Sequence, residues 1–595
     1  MQFTGHTLHF GDTIPGDNPF VLDPDDLSTH VGIFGRSGRG KSKLLEHLLR
    51  QVLNEWPASQ GGCLVLDPHG PTYDGLLSYA AKLNVRRPIV PIDLRDPSWV
   101  VAYHLLRPRG SAKQSVVVDA LIEAMLHAWG AADADATPLL ARWSGNLFHA
   151  LYAMRATLSD AMELIVSPTT RRHVAEALGE HPAARDWHLA ADAKGVEFEA
   201  MVSSTVNRLR RFVGNDTLRM MFGQGDGRPS FDFAKAVAEG WIVLVCLATE
   251  GSNVSRENSD LVGSLMLSDL WTSAADRGKR DRQRQYLVVA DEFQRYLNPS
   301  IAEGLDQSRG FGLAWLLSCQ YPRQTLFNGG EKGEHLLASL MENVGCKLTF
   351  QLTDEPNLGP LASWLFRGVF DPNRVKFDLY ATRVVDYVEE VRESVTRSES
   401  TTETQSSSTT TQRSTSESSS ENWLPDPEAD DYNVGEYGPG TRGTSTTSIE
   451  GETNGTSTGE TRGKSVSQQH LLRPILGTEL AGRQFSGLDE QLFEATQMIF
   501  RLPPRVALAR SGDMPGPVMI RIPTIDSGAG RHYAQRFARR SGAQFPFIIP
   551  ASDASKLLES RQTDLRARLN NDSRGGGTDD PSAAGRLVPK KPKKS

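Results

Sequence analysis

HVGIFGRSGRGKSKLLEHLLRQVL, residues 30–53, holds the pattern GxxxxGK[ST] at Gly35, Arg36, Ser37, Gly38, Arg39, Gly40, Lys41 and Ser42. Triphosphates concentrate negative charge that must be met at close range. Glycines let backbone N–H groups wrap around phosphates with no Cβ in the way. A helix opening at the loop adds the positive end of its dipole. Leu44, Leu45, Leu48, Leu49 and Val52 repeat at helical spacing behind the loop, and an apolar strand-like run precedes it. These eight residues are therefore expected to bind ATP. Lys41 would reach the β- and γ-phosphates, and the Ser42 hydroxyl would ligate Mg²⁺.

YLVVADE (286–292) is an apolar strand ending in two carboxylates. Asp291 is expected to hold Mg²⁺ through its water shell, and Glu292 to orient or deprotonate the attacking water. Lys41, Ser42, Asp291 and Glu292 together make an ATP hydrolysis site. The 250 residues between Lys41 and Asp291 are more than a compact kinase or small GTPase needs.

Other strands read from GCLVLDPHG (62–70), RPIVPIDL (87–94), GWIVLVCLA (240–248), LAWLLSCQ (313–320) and CKLTFQL (346–352). Strands that are apolar throughout, alternating with helices, imply a parallel sheet covered on both faces. Between about 112 and 225 the strand signal vanishes. Val118, Leu121, Ile122, Met125, Leu126 and Trp129 repeat at helical spacing, as do Leu140, Trp143, Leu147, Leu151 and Met154. Thr157 to Asp160 reads as a variant of the capping box.

Hydrophobic residues make up 38% of the 595, a little low, while charged residues are an ordinary 23%. A polar, unstructured part accounts for the difference. From Thr401 to Ser420, 15 of 20 residues are Ser or Thr, and from Thr441 to Glu460, 10 of 20 are. Such a stretch buries too little apolar surface to offset its ordering entropy. The net charge of −7 does not announce a nucleic-acid binder, so any DNA contact needs a local basic lining. Cys63, Cys246, Cys319 and Cys346 stand far apart in apolar runs, which argues against a disulfide framework or a zinc knuckle. MQFTGHTLHFGDTIPGD lacks the pattern of a signal peptide, and no run of 18 apolar residues occurs. A cytoplasmic location is expected, with membrane association only through partners.

The expected fold class is α/β, a RecA-like P-loop core with a mostly parallel sheet, an inserted all-α subdomain and a long disordered Ser/Thr-rich insertion. The boundaries are 1–111 for the first part of the core with the phosphate loop and 112–225 for the helical subdomain. Residues 226–392 form the second part of the core and 393–468 the disordered insertion. Residues 469–550 are a helix and strand pair completing the core, and 551–595 a polar tail ending in Lys590, Lys591, Lys593 and Lys594.

DDLSTHVGIFG (25–35), LVLDPHG (64–70), VLVCLA (243–248), DEFQ (291–294) and SRGFGLAWLLSCQ (308–320) resemble the HerA–FtsK superfamily of hexameric P-loop motors. The nearest likeness is to type IV secretion coupling proteins of the TraG/TraD kind, over roughly 25–390 and more weakly 470–527. The resemblance implies that Gln320 senses the γ-phosphate. It implies that Arg309, 18 residues after Asp291 and 11 before Gln320, is an arginine finger supplied to a neighbouring subunit. Arg210, Arg211 and Arg219 are runners-up for that role. Asp67 reads as a turn-former near the site, the alternative being a group that supports the magnesium through its water shell, and His69 has no assignment. The implied function is ATP-driven DNA translocation by a hexameric ring, using ATP and Mg²⁺, with DNA, further copies of itself and a relaxase, secretion-channel or nuclease partner. The alternatives are an ATPase that energises protein secretion or remodelling, and a defence-associated HerA-like helicase or translocase subunit. Those coupling proteins usually carry membrane helices ahead of the phosphate loop, and only 34 residues precede Gly35 here.

Overall fold

The computed structural model describes residues 7–56, 61–107, 114–129, 137–225, 228–278, 285–296, 299–322, 330–353, 355–402, 421–422, 441–446, 459–512 and 514–571. They form two compact units. One comprises Met1–Phe370 with Leu492–Ser595, the other Asp371–Gln491.

The first unit is built on an eleven-stranded sheet. Its strands are β1 (Leu8–Ile14), β2 (Pro19–Leu22), β3 (Val31–Phe34), β4 (Cys63–Asp67) and β5 (Ile89–Asp93). A short strand β6 (Trp99–Val101) lies outside it. The sheet continues with β7 (Ile242–Cys246), β8 (Tyr286–Asp291), β9 (Leu313–Cys319) and β10 (Cys346–Thr349). Strands β11 (Val375–Thr402), β12 (Glu421–Asn422), β13 (Thr441–Thr446) and β14 (Gly459–Phe485) belong to the second unit. The first unit resumes with β15 (Val506–Arg510), β16 (Val518–Arg521) and β17 (Ile548–Pro550), which pairs with β6.

The sheet order is β2-β1-β16-β15-β10-β3-β9-β8-β4-β7-β5. Every pair from β10 to β5 is parallel, while β15, β16, β1 and β2 extend the β10 edge antiparallel. The parallel strands alternate between two buried cores, as the period-2 geometry of a strand requires. Leu64, Leu66, Val243, Val245, Val288 and Ala290 face one core. Cys63, Val65, Ile242, Leu244, Leu287 and Val289 face the other, with Leu44, Leu45 and Leu48 of the helix Lys41–Glu55. Strand β9 lies between β3 and β8, so the chain ends leaving those three strands meet at one edge.

Helices from Gln114–Ala128 to Asp216–Phe222 form the inserted α-helical part, packed around Trp143, Leu147, Trp187 and Leu209. Thr157 closes the expected capping box: Asp160 accepts from its N–H at 2.7 Å and its hydroxyl at 2.8 Å.

Three features differ from expectation. Residues 551–571 are not simply tail but a helix, Ala551–Asn571, whose Ala554, Leu558, Leu565 and Leu569 are buried. Its apolar face is narrow, so composition alone reads as polar. Arg561 fastens it to the helical part through buried Asp160 (2.5 Å) and the Thr157 hydroxyl (2.7 Å). A basic helix, Arg531–Gly542, precedes it and was also not anticipated. The ends of the Ser/Thr-rich insertion, 393–402 and 459–468, continue the antiparallel pair β11–β14. Its middle lies mostly outside the described residues, as do the four C-terminal lysines.

Candidate active site

The phosphate loop is held from three sides. Gly35 N–H donates to the Gln320 carbonyl (3.0 Å), Arg36 N–H to the Gln351 carbonyl (3.1 Å), and Arg505 N–H to the Arg39 carbonyl (3.0 Å). These contacts come from the ends of β9, β10 and the segment entering β15. The sheet order therefore shapes the loop. Gly35 has φ +146°, and a Cβ there would lie 2.6 Å from Phe350 Cβ. Gly40 has φ +124° and is the N-cap of the helix Lys41–Glu55. A glycine-bearing loop that leads into a helix N-terminus, with no space for a Cβ at Gly35, fits a phosphate chain.

Lys41 is buried. Its ammonium donates to the Gly35 and Arg36 carbonyls, the latter at 3.2 Å. Burial pulls its pKa down, against the opposing pull of Asp291, Cys319 and Glu292.

Ser42 Oγ donates to Asp291 Oδ2 at 3.1 Å, across 249 residues of sequence. The two expected metal ligands are thus in contact. Burial pushes the Asp291 pKa up, because a carboxylate is poorly solvated there, against the lowering pull of Ser318, Lys41 and Ser42. A hydroxyl and a carboxylate with oxygen donors suit Mg²⁺, which takes one or two protein ligands and completes its shell with water and phosphate. When bound, the ion would neutralise charge on the β- and γ-phosphates.

Glu292 follows at φ +48°, a left-handed turn that swings its carboxylate off the end of β8. Three side chains converge on it. His69 Nε2 lies 3.0 Å from Oε1, Gln320 Nε2 donates to the same oxygen at 3.4 Å, and Arg295 Nη1 is 3.8 Å from Oε2. The hydrogen bond to His69 holds the Glu292 pKa below its ordinary value and raises that of His69. Arg295 is tied to Asp260, which accepts from its Nε at 2.6 Å. Gln320 therefore sits where β9, between the two nucleotide strands, delivers it.

Asp67 is buried and accepts from the backbone N–H groups of His69 (3.0 Å), Gly70 (2.9 Å) and Tyr73 (2.8 Å). It holds together the turn that leads into the helix Pro71–Leu83, in keeping with its reading as a turn-former. The signal for His69 was the DPHG turn itself, but a turn histidine does not declare its partner in sequence. Arg295, three residues after Glu292, was missed for the same reason.

Arg309 lies exposed in the 3₁₀ turn Arg309–Phe311. His30 anchors the segment ahead of it, with Nε2 3.0 Å from the Leu305 carbonyl and 3.1 Å from Ser308 Oγ. Arg210 and Arg211 are exposed at the end of the helix Gly195–Val213. Arg219 pairs with Asp216 at 3.3 Å.

The fold and the site define a P-loop ATPase whose phosphate loop, Ser42, Asp291 and Glu292 are assembled at the ends of parallel strands of one sheet. Residues 8–139, about a fifth of the chain, match the family model described as helicase HerA, central domain. That segment carries the phosphate loop and His69. No curated protein matches the chain. Among solved structures, the bacterial conjugative coupling protein TrwBdeltaN70 is 13% identical, with 90% of this chain and 91% of that one covered and a TM-score of 0.46. The plasmid coupling protein TrwB in complex with ADP and Mg²⁺ is 13% identical over 88% and 91%, with a TM-score of 0.44. VirB4 of Thermoanaerobacter pseudethanolicus is 14% identical over 61% and 88%, with a TM-score of 0.40. At those values the structural likenesses carry no functional argument. Among the described residues, no helix is long and apolar enough to cross a membrane.

Proposed function

We propose that the protein is a ring-forming ATPase that translocates DNA, each site being completed by a neighbouring subunit. The observation that carries this reading is the Glu292 cluster. A catalytic carboxylate shared by His69 and Gln320 links hydrolysis to two separate elements of the core, the helix Pro71–Leu83 and strand β9. A motor needs such links, because work is extracted only if the nucleotide state biases the position of other elements. The match to the HerA central domain supports the same class.

In this account Lys41 and the loop N–H groups bind the triphosphate, and Ser42 and Asp291 hold Mg²⁺. Glu292 accepts the proton of the attacking water, Gln320 reports the γ-phosphate, and Arg309 reaches the site of the adjacent copy. A six-membered ring, DNA as the moving load, and a relaxase, secretion-channel or nuclease partner are parts of the proposal. The test is ATP turnover with and without single- and double-stranded DNA. Stimulation by either supports it, and absence of both counts against DNA as the substrate.

A further inference from the structure

The second unit is dominated by one long antiparallel ribbon. Strand β11 pairs with β14 from Val375 opposite Phe485 to Thr402 opposite Gly459. Strand β13 covers the outer edge of β14 only from Val466 to Gln469. Among the described residues, the rest of that edge and the outer edge of β11 have no strand beside them.

Two strands have no core between them, and an isolated ribbon is marginal in water. The inner part of this one also exposes many apolar side chains. Fifteen large hydrophobic side chains are exposed along it, thirteen of them between Val375 and Val391 and between His470 and Phe485. Tyr380 and Val385 are each 67% exposed and Leu476 62%. Soluble proteins rarely leave such a row uncovered, or such long strand edges unpaired, without a partner.

The two strands carry opposite net charge. Between Val375 and Val391 strand β11 carries four carboxylates against two cations, while the His470–Phe485 edge of β14 carries Arg473 and Arg483 against Glu479; of these, Asp378 with Arg483 and Arg383 with Glu479 already pair within the ribbon. We infer that the ribbon is a subunit-joining element, in which the free edge of β11 in one copy pairs with the His470–Phe485 edge of β14 in the next. This deepens, and rests on, the ring proposed above. Hairpins related by a rotation axis all point the same way, so a neighbour's β11 laid beside β14 is again antiparallel. Repeating the contact closes a barrel with two strands from each copy, and closure removes the edges altogether.

The experiment uses the full chain. Its four native cysteines are buried and unpaired, so introduced thiols dominate the labelling. One preparation carries Tyr380→Cys and the other Leu472→Cys, Leu476→Cys or Leu480→Cys. They are mixed with a non-hydrolysable ATP analogue and treated with a short bis-maleimide, and assembly is followed by native mass measurement. The proposal predicts mixed cross-links between 380 and at least one β14 position, exceeding those between like positions. Rings without mixed cross-links overturn the ribbon seam and leave the ring proposal standing. Neither rings nor cross-links overturn both. Mixed cross-links without DNA-responsive turnover support the seam and remove the motor. Independently, Val385→Lys with Leu476→Lys, both at exposed positions, should raise the concentration needed for assembly by about tenfold or more. An unchanged value overturns the seam.

Discussion

His69 Nε2 stands 3.0 Å from Glu292 Oε1, so a histidine from the turn after β4 directly controls the carboxylate at the end of β8. The pair shifts both groups, His69 upward and Glu292 downward. The histidine's contribution is present below its raised pKa and lost as pH climbs through it. The carboxylate's contribution is present above its ordinary pKa and lost as pH falls through the depressed one. Between those limits the imidazolium holds the carboxylate and lowers its basicity. Turnover should therefore rise as pH climbs through the histidine's raised pKa. His69→Gln should flatten that limb, and kcat measured from pH 5 to 9 checks it. A limb unchanged in the variant would assign the titration elsewhere.

The loop glycines make a graded stability prediction. Gly35→Ala places a Cβ 2.6 Å from Phe350 Cβ at φ +146°, and something must shift. Its expected cost is about 2 kcal/mol or more. Gly38→Ala has φ +77° but open space around it, so only conformational strain of about 1 kcal/mol is expected. Urea unfolding of the two variants should rank them in that order.

Lys347, on β10 beside the phosphate-loop strand, is buried, with Nζ 3.4 Å from the Trp364 ring centroid. Burial brings its pKa down to about 7 from 10.5. The folded protein gives up this proton near neutrality while the unfolded chain keeps it to about 10.5, so stability rises with pH between those values. The slope from this group approaches about 1.4 kcal/mol per pH unit. Lys347→Met should remove that slope, measured as urea midpoints from pH 7 to 10. Parallel profiles for the two proteins would contradict it.

Arg561 ties the last described helix to Asp160, which is fully buried. Arg561→Ala leaves that carboxylate without its cation, an expected loss of about 3–5 kcal/mol. Asp160→Asn combined with Arg561→Ala should recover part of it. Thermal unfolding of the three proteins tests the coupling, and additive losses would show that the two residues do not interact.

How much of this was legible beforehand depended on how local each signal was. Gly35 to Ser42 and Asp291–Glu292 were readable because phosphate and magnesium chemistry imposes residue types at fixed spacing. The parallel strands were readable because burial on both faces makes them apolar throughout, as in Ile242–Cys246. His69 and Arg295 were not, since each acts through a contact set by strand order, and order is not written in any one segment. The helix Ala551–Asn571 escaped because four buried side chains on one face suffice to dock it, while Arg561, Arg566 and Asp564 dominate its composition. The ribbon escaped because its outer part shares the composition of the Ser/Thr-rich stretch, and pairing between residues as far apart as Thr402 and Gly459 leaves no local periodic mark.

In the proposed mechanism Lys41, Ser42, Asp291 and Glu292 act on one magnesium–triphosphate, with Glu292 as the proton acceptor. The most direct measurement compares nucleotide affinity and ATP turnover in the unmodified protein and in Glu292→Gln, which keeps the size and removes the base. Affinity should stay within a few-fold while turnover falls by about 10²–10⁴. Turnover undiminished in Glu292→Gln would contradict the account.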